Sequence, residues 1–433
     1  MISSPHLLLL AGVGGHTPQE ALVSLATITR RVSMLFIDAW VPADRIRTLW
    51  EESKLDGELV VVSTLDEAVE AACALHARNA LDGVVTYSEL LLQPHARITA
   101  RLGLPGSPVE AVEIAQSKAR QRVVFAEKGV ASPRFAVISQ AEQVEAGVAH
   151  VGLPAVFKPS LGAGSVGVHR VHTLEQVQAS FQTFLKQAST FLQHDPHVLL
   201  EEPMPLEGDA DSPYANYVSV ESLLIDGEAI HLTVTDRARL RHGYVEEGLI
   251  MPSRLPEQQQ QRLIEEAERA IRAIGLTHGA VHTEVAWING EPKIIEVNAR
   301  AGGPIPSMFE SAANYDYAAE IARAYLNIRS GLKPQFQRVS WHRFVPIPEG
   351  EWKVVSQTPV AEVMARLPGI VYLSPRFQPG QKVSRQLTLH LASFMVTAPT
   401  AEEARALVAE VEKVLAIRLE PVMPEAMQAG GLS

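Results

Sequence analysis

Apolar runs alternate with segments of helical period over the first hundred residues. The runs fall at Leu7–Leu10, Met34–Ile37, Leu59–Val62 and Val84–Val85. Between the last two, residues Thr64 to Asn79 carry apolar side chains three and four positions apart, as on one face of a helix. Continuous apolar strands joined by helices predict a parallel sheet covered on both faces. A breaker-rich turn at 102–106 predicts the end of this unit, so we expect an N-terminal α/β domain over residues 1–105.

The pattern changes after this turn. A helix is predicted from Pro108 to Gly129, followed by short strands and a glycine-rich loop. Two longer strand pairs then surround Asp226-Gly227 and Asn289-Gly290, which are hairpin turn sequences. Such antiparallel hairpins predict a second domain over residues 106–330, with a lid subdomain at about 133–204. Strands from Trp341 onward and a closing helix predict a smaller C-terminal α+β domain over 331–433.

Composition narrows the classes of function. The 433 residues carry a net charge of −11, which argues against a nucleic-acid partner because such binding needs a cationic surface. Cys73 is the only cysteine, so a disulfide framework and a cysteine-based zinc site are excluded within one chain. The apolar stretch Leu7 to Val13 is too short to span a bilayer. We therefore expect a cytoplasmic protein with no membrane partner.

The glycine-rich loop is a candidate phosphate site. Gly162, Gly164 and Ser165 lie between two predicted strands, and Lys158 precedes them. Glycines let backbone amides approach phosphate oxygens, and a neighbouring lysine neutralises them. A strand follows the loop instead of a helix, so it is neither a Walker loop nor a Rossmann fingerprint. The alternative is an ordinary hairpin turn.

A second candidate site lies on the last predicted hairpin of this domain. Glu296, Asn298 and Arg300 recur at period two and therefore share one strand face, and Glu284 comes from the partner strand. Carboxylate and amide oxygens suit Mg²⁺, and an arginine beside them could bind a phosphoryl group. The alternative is a solvated strand face with an ion pair.

The turn of this hairpin decides whether Glu284 and Glu296 can share an ion. A two-residue turn at Asn289-Gly290 would put the two carboxylates on opposite faces, unless a bulge lies elsewhere. A three-residue loop, 288–290, would put them on one face as diagonal neighbours. We therefore predict the three-residue loop, with a positive φ at Gly290.

Four motifs, in order from Gly103 to Arg329, resemble those of the ATP-grasp superfamily. They are Lys118, Lys158 with the loop Gly162 to Gly167, the hinge from Leu199 to Met204, and the Glu284, Glu296, Asn298 and Arg300 set. The resemblance implies the ATP-grasp fold, with ATP and Mg²⁺ (or Mn²⁺) as cofactors. It further implies that Lys118, Lys158, Gly162, Gly164, Ser165, Glu201, Glu202 and Met204 bind ATP. Glu284, Glu296 and Asn298 would hold the metal, and Arg300 would be catalytic.

Within the superfamily the chain resembles the L-amino acid ligases. The resemblance lies in the strand that carries Glu221 and in the segment Tyr244 to Pro252, which carries Glu246. It implies amino acid or carboxylate substrates and a homodimer. Two positions depart from the family: Leu249 stands where histidine is common, and Tyr217 stands where many members carry glutamate.

Further residues are candidates for binding the substrate. Glu246 is expected to meet an ammonium, and Arg239 or Arg241 a carboxylate, although this arginine run could instead be a solvated charged segment. His282 shares a strand face with Glu284, and we expect it to act as a hydrogen-bonding neighbour of the site at least as much as a catalyst. Glu221 and Gly303 complete the candidate substrate residues.

The function predicted from these patterns is that of an ATP-dependent carboxylate–amine ligase acting on amino acids through an acyl phosphate. An ATP-grasp carboxylase or purine-pathway ligase would share every ATP residue. A non-catalytic ATP-binding protein is the alternative outside the enzymes, and the complete metal and phosphoryl set argues against it.

Overall fold

The computed structural model describes residues 4–12, 15–38, 43–162, 166–191, 195–241, 243–385 and 388–422. Gly164 and Ser165, two of the candidate ATP ligands, lie outside these ranges. In the described part of the chain no helix has the length and apolar composition needed to cross a bilayer.

The N-terminal region contains the predicted parallel sheet, with strand order β3-β2-β1-β4. Its strands are β1 (Leu7–Ala11), β2 (Val32–Ile37), β3 (Leu59–Val62) and β4 (Gly83–Thr86). The accompanying helices are α1 (Pro18–Ala26), α2 (Ala43–Ser53), α3 (Leu65–Arg78) and α4 (Leu92–Leu102). Strands β1, β2 and β4 are buried throughout, which accounts for their continuous apolar sequences.

The helix predicted from Pro108 to Gly129 is two helices, so that prediction is wrong. They are α5 (Val109–Gln116) and α6 (Lys118–Lys128). Ser117 between them is extended, with φ −110° and ψ 109°, and its side chain accepts a hydrogen bond from the Arg120 amide. The break makes Lys118 the first residue of α6, next to the capping serine.

A second sheet, the lid sheet, has strand order β5-β8-β6-β7 and is antiparallel. Its strands are β5 (Phe135–Ile138), β6 (Ala155–Pro159), β7 (His169–Val171) and β8 (Val198–Glu201), and its helices are α7 (Val144–Val151) and α8 (Leu174–Phe191). The strand predicted to follow the glycine-rich loop is β7, which has only three residues. Lys158 on β6 and Glu201 on β8 bring the lid sheet to the candidate site.

The central sheet has strand order β13-β12-β9-β10-β11-β14-β18-β16. Its strands are β9 (Tyr214–Ile225), β10 (Glu228–Ala238), β11 (Gly248–Met251), β12 (Gly279–Ile288), β13 (Glu291–Asn298), β14 (Val339–Pro346), β16 (Ile370–Pro375) and β18 (His390–Ala398). A smaller sheet contains β15 (Trp352–Ser356), β17 (Lys382–Val383) and β19 (Arg418–Pro421). The remaining helices are α9 (Glu257–Ile274), α10 (Ile305–Ala313), α11 (Tyr317–Ala324), α12 (Val360–Arg366) and α13 (Ala401–Leu415).

The C-terminal strands β14, β18 and β16 continue the central sheet through the pairing of β11 with β14. Among the strands predicted from Trp341 onward, β18 is one continuous strand of nine residues. The domain boundaries at 105/106 and 330/331 stay predictions.

The open edge of the central sheet, β13, is covered by α6. The Gln121 side chain donates to the Val297 carbonyl and accepts from the Val297 amide, at 3.0 and 2.9 Å. The Arg122 guanidinium donates to the Ile295 carbonyl at 2.6 Å. Because these bonds satisfy an otherwise unpaired strand edge, α6 and β13 are held together, and with them Lys118 and Glu296.

Candidate active site

Two adjoining cavities lie against the central sheet, and the first of them also borders the lid sheet. The first, here the lysine cavity, is lined by Lys158, Glu201, Glu202 and Met204 among others. The second, the arginine cavity, is lined among others by Arg237, Glu246, Asn298 and Arg300. Five residues line both: Lys118, Gly162, Tyr217, Glu284 and Glu296. These five residues therefore form the junction where a ligand in one cavity would contact a ligand in the other cavity.

The hairpin that carries Glu284 and Glu296 differs from the prediction at its turn. Ile288 pairs with Glu291 across a two-residue turn in which Asn289 and Gly290 have φ of 53° and 82°. These positive values are typical of a type I′ turn. The three-residue loop is therefore wrong, whereas the positive φ at Gly290 is confirmed.

Glu284 and Glu296 can lie on the same face of the hairpin only if the pairing register shifts by one residue. A β-bulge provides this shift. Val285 pairs with Ile294, but the next residue, Glu284, pairs with Glu296, so Ile295 is an extra residue on β13. Glu284 and Glu296 consequently lie directly opposite each other and on the same face. Asn298 lies opposite His282, one step further along that face.

Lys118 reaches this face from the start of α6. Its ammonium lies 3.1 Å from a Glu296 carboxylate oxygen and donates to the Gly162 carbonyl at 2.8 Å. Burial opposes a charge on Glu296, but the Lys118 ammonium holds the pKa of that carboxyl below its usual range. The carboxylate is thus ionised at neutral pH, as a metal ligand must be.

Lys158 enters the lysine cavity from the lid sheet. Its ammonium lies 2.6 Å from Glu201, which also pairs with Arg122 at 2.8 Å. Burial, with Arg122 and Lys118 nearby, lowers the pKa of Lys158 to about 8 even though Glu201 acts in the other direction. The Glu201 carboxylate lies between the Lys158 and Arg122 cations, so its side chain positions Lys158 at the wall of the lysine cavity.

The side chains of Glu202 and Met204, two hinge residues expected near the adenine, make different contacts. Glu202 lines the lysine cavity, but its side chain pairs with Lys293 at 3.0 Å and its amide donates to the Arg134 carbonyl. Met204 is buried against Leu240 and Tyr217 at the wall of the same cavity. The Met204 side chain is therefore placed to contact a flat apolar ring.

The oxygen donors fit a divalent cation that also binds phosphate. Glu284 and Glu296 offer two facing carboxylates, and the Asn298 amide lies 3.2 Å from Glu296. In the described residues no group of three or more His, Cys, Asp and Glu side chains forms a self-contained metal site. Magnesium is usually bound by one or two carboxylates together with nucleotide phosphates and water, so a two-carboxylate site suits it.

Arg237 lies in the wall of the arginine cavity and is 2% exposed. One of its terminal nitrogens contacts Glu246, and the other lies 3.1 Å from Glu284 and 2.8 Å from Nε2 of His282. Since arginine only donates, Nε2 of His282 is the acceptor. Nδ1 of His282 then carries the proton and donates to Glu221 at 2.8 Å.

Three candidate substrate residues lie elsewhere than expected. The Arg239 side chain donates to the Ala210 carbonyl, and Arg241 is exposed and 4.0 Å from Glu247, so neither lines the arginine cavity. The reason is that β10 ends at Ala238, so the strand face that presents Arg237 does not continue to them. Glu221 is fully buried and bonded to Ser219 and His282, and acts on the cavity only through that histidine.

Arg300 projects into the arginine cavity at the end of β13. Its Nε lies 2.7 Å from Glu89, and its terminal nitrogens donate to Asn298 and to the Ala301 carbonyl. Glu89 comes from the N-terminal region, so Arg300 is held from both sides. Gly303 lines the cavity, but the glycine that the packing requires is Gly302, where a Cβ would approach the His282 ring to 2.8 Å.

Sequence reasoning missed several residues of the site. Glu89, Arg122 and His390 come from distant segments, and no local motif connects them to the cavities. Arg237 lies two residues before Arg239 in the sequence, but only Arg237 is still on β10, which ends at Ala238. The two departures from the family both face the site: Leu249 lines the arginine cavity, and the Tyr217 ring lies 5.4 Å from the Arg237 guanidinium.

Comparison with known proteins gives a match to the ATP-grasp domain over residues 151–307. Alanine–anticapsin ligase of Bacillus subtilis is 31% identical over 251 residues, which cover 55% of this chain and 52% of that protein. The chain spans about half the length of the curated relatives it matches first.

Solved structures resemble the whole fold. The L-amino acid ligase from Bacillus licheniformis gives a TM-score of 0.76 at 17% identity, covering 97% of this chain and 99% of that one. An N5-carboxyaminoimidazole synthase from Aspergillus clavatus, in complex with ADP, gives 0.70 at 14% identity, covering 95% and 99%. The expected fold is therefore confirmed.

Proposed function

We propose that the chain, whose residues 151–307 match the ATP-grasp domain, is an ATP-dependent carboxylate–amine ligase that joins amino acids, or an amino acid and a related carboxylate. The products would be an amide or dipeptide, ADP and phosphate. The observation that carries the proposal is the junction of the two cavities. A nucleotide in the lysine cavity would present its terminal phosphate at Lys118, Glu284 and Glu296, which also line the arginine cavity.

The lysine cavity suits the nucleotide. Lys118 and Lys158 would neutralise phosphate oxygens, and Met204 would contact the adenine ring. Glu284 and Glu296, with Asn298, would hold Mg²⁺, which would neutralise and orient the phosphates. Protein groups in phosphoryl transfer act chiefly by positioning reactants and by stabilising charge, and this set does both.

The reaction would proceed in two steps. A substrate carboxylate oxygen attacks the γ-phosphorus, the bond to the bridging oxygen of ADP breaks, and an acyl phosphate forms. A neutral amine then attacks the acyl carbon, and phosphate leaves as the amide forms and the amine loses a proton. Arg300, fixed by Glu89 at 2.7 Å, would stabilise the negative charge that develops in both steps.

The arginine cavity suits amino acids because it offers charges of both signs. Glu246 can bind an ammonium, and Arg237 and Arg300 can bind a carboxylate. The relative that joins alanine to anticapsin supports an amino acid as one substrate. Arg237 takes the role that the sequence assigned to Arg239 or Arg241.

A phosphate-release assay tests this function. The purified chain is incubated with ATP, Mg²⁺ and each amino acid singly, in pairs, and with bicarbonate, and products are identified by mass spectrometry. Release that needs a pair of amino acids, with a mass equal to their sum less one water, is the expected result. Release that needs bicarbonate would indicate a carboxylase instead. No release under any condition, with ATP still bound, would indicate a binding protein.

A further inference from the structure

His390, the first residue of β18, reaches the arginine cavity from the C-terminal region. In the described part of the chain it is the one residue beyond position 331 that lines the arginine cavity. Its neighbours in the cavity wall include Glu246 and Leu249. The C-terminal strands therefore touch the candidate amino acid site through this single ring.

The orientation of the His390 ring is fixed by two contacts. Its Nε2 lies 2.9 Å from the Glu246 carbonyl oxygen. A carbonyl only accepts hydrogen bonds, so Nε2 carries a hydrogen and donates. The ring also stacks on Phe344, with centroids 4.5 Å apart and planes 21° from parallel. The amide of Phe344 in turn donates to the Glu247 carbonyl, which ties the stack to the same segment.

The charge state of His390 follows from its surroundings. Burial, Arg376 and Arg343 lower the pKa of His390 to about 4, and Glu247 only partly opposes them. The ring is therefore neutral at neutral pH. A neutral ring with its hydrogen on Nε2 has a lone pair on Nδ1, and no partner for Nδ1 is found among the described residues.

Resting on the function proposed above, we propose that Nδ1 of His390 accepts a hydrogen bond from the amine of the attacking amino acid, beside the Glu246 carboxylate. Glu246 supplies the negative charge that attracts an ammonium into the cavity. Nδ1 adds an uncharged acceptor, which can accept an N–H of the ammonium and, after deprotonation, an N–H of the neutral amine. Such an acceptor holds the nucleophile in place without opposing the loss of its proton, which must precede attack.

Two substitutions separate this role from the structural role of the ring. His390→Gln places an amide N–H near the position of Nε2 and can keep the bond to Glu246, but it removes the Nδ1 acceptor. His390→Asn places its amide oxygen near the position of Nδ1 and loses the donor to Glu246. For each variant the KM values of the amine substrate and of ATP are measured, with the amino acid that the wild type uses, together with the melting temperature and ADP binding.

We expect His390→Gln to raise the KM of the amino acid about tenfold or more, as for a lost hydrogen bond to a charged group. The KM of ATP should stay within about twofold, because His390 does not line the lysine cavity. His390→Asn should keep most of the affinity for the amino acid.

Three outcomes overturn the assignment. A His390→Gln variant with the same kinetics as wild type would exclude the Nδ1 contact. If both variants lose activity equally and have a lowered melting temperature, His390 has only a structural role, which is to hold the Glu246 segment in place. A wild-type chain that binds ATP but releases no phosphate with any amine would overturn the proposed function, and this role with it.

Discussion

Glu284 and Glu296 lie directly opposite each other on β12 and β13 because Ile295 is an extra residue in β13. Without that bulge, the register set by the two-residue turn would place one carboxylate on each face of the sheet. One inserted residue thus creates the carboxylate pair, while the outward carbonyl of that same residue accepts the Arg122 bond at the strand edge.

This pairing predicts a shared magnesium. Glu284→Gln and Glu296→Gln should each weaken Mg²⁺-dependent ATP binding and lower turnover, on the order of 10²-fold, because an amide replaces an anionic ligand. Titration calorimetry with ATP, with and without Mg²⁺, measures the first effect. Glu291→Gln, at the exposed turn of the same hairpin, is the matched control and should bind like wild type. Normal Mg²⁺ dependence in both site variants would contradict the pairing.

Arg300 should matter to the reaction more than to ATP. We expect Arg300→Ala to lose on the order of 10²-fold or more in turnover, because a charge-stabilising donor is removed, while ATP affinity falls much less. Arg262→Ala, which removes an exposed arginine paired with Glu291, serves as the control. Near-normal turnover of Arg300→Ala would show that the role assigned to it is wrong.

ATP binding should depend on pH through Lys158. With its pKa lowered to about 8, the side chain loses its charge as the pH rises through 8, and the anionic phosphates prefer the charged form. The Kd of ATP should therefore be flat below about pH 7 and rise up to about tenfold per pH unit above pH 8. Lys158→Arg stays charged and should flatten the profile. An identical rise in both proteins would assign the titration to another group.

Glu246 should bind the amine, and the outlying arginines should not matter. We expect Glu246→Gln to raise the KM of the amino acid about tenfold or more, since a desolvated charge pair is lost. Arg239→Ala and Arg241→Ala change side chains that do not line the arginine cavity, so their kinetics should match wild type. A structure with bound substrate in which Glu246 contacts no ligand atom would disprove the assignment.

Much of the architecture could be predicted from the local spacing of apolar residues, because buried strands and amphipathic helices each have a characteristic spacing. The parallel N-terminal sheet and the β12–β13 hairpin were predictable in this way. The alternation of side chains along the two strands indicates that a shared face for Glu284 and Glu296 needs a one-residue change of register. The sequence around Ile295 does not distinguish a bulge there from a longer turn. The Ser117 break was likewise hidden, since serine occurs both inside helices and at their caps.

The site was predictable where its residues share a strand and not where distant segments meet. Glu284 and Glu296 line both cavities, Lys158 lines the lysine cavity and Arg300 lines the arginine cavity. Glu89 and His390 reach the arginine cavity from opposite ends of the chain, and only the packed fold brings them together. Choosing Arg237 over Arg239 required knowing that β10 stops at Ala238.

The position of Arg122 bears on how the molecule unfolds. This buried side chain joins Glu201 of the lid sheet to the Ile295 carbonyl of the central sheet. Melting the lid sheet alone would take Glu201 away from the buried Arg122 guanidinium, and an unpaired buried charge costs about 3–5 kcal/mol. Strand β8 should therefore not lose its hydrogen-exchange protection before α6 and β13, the two elements that hold Arg122 in place.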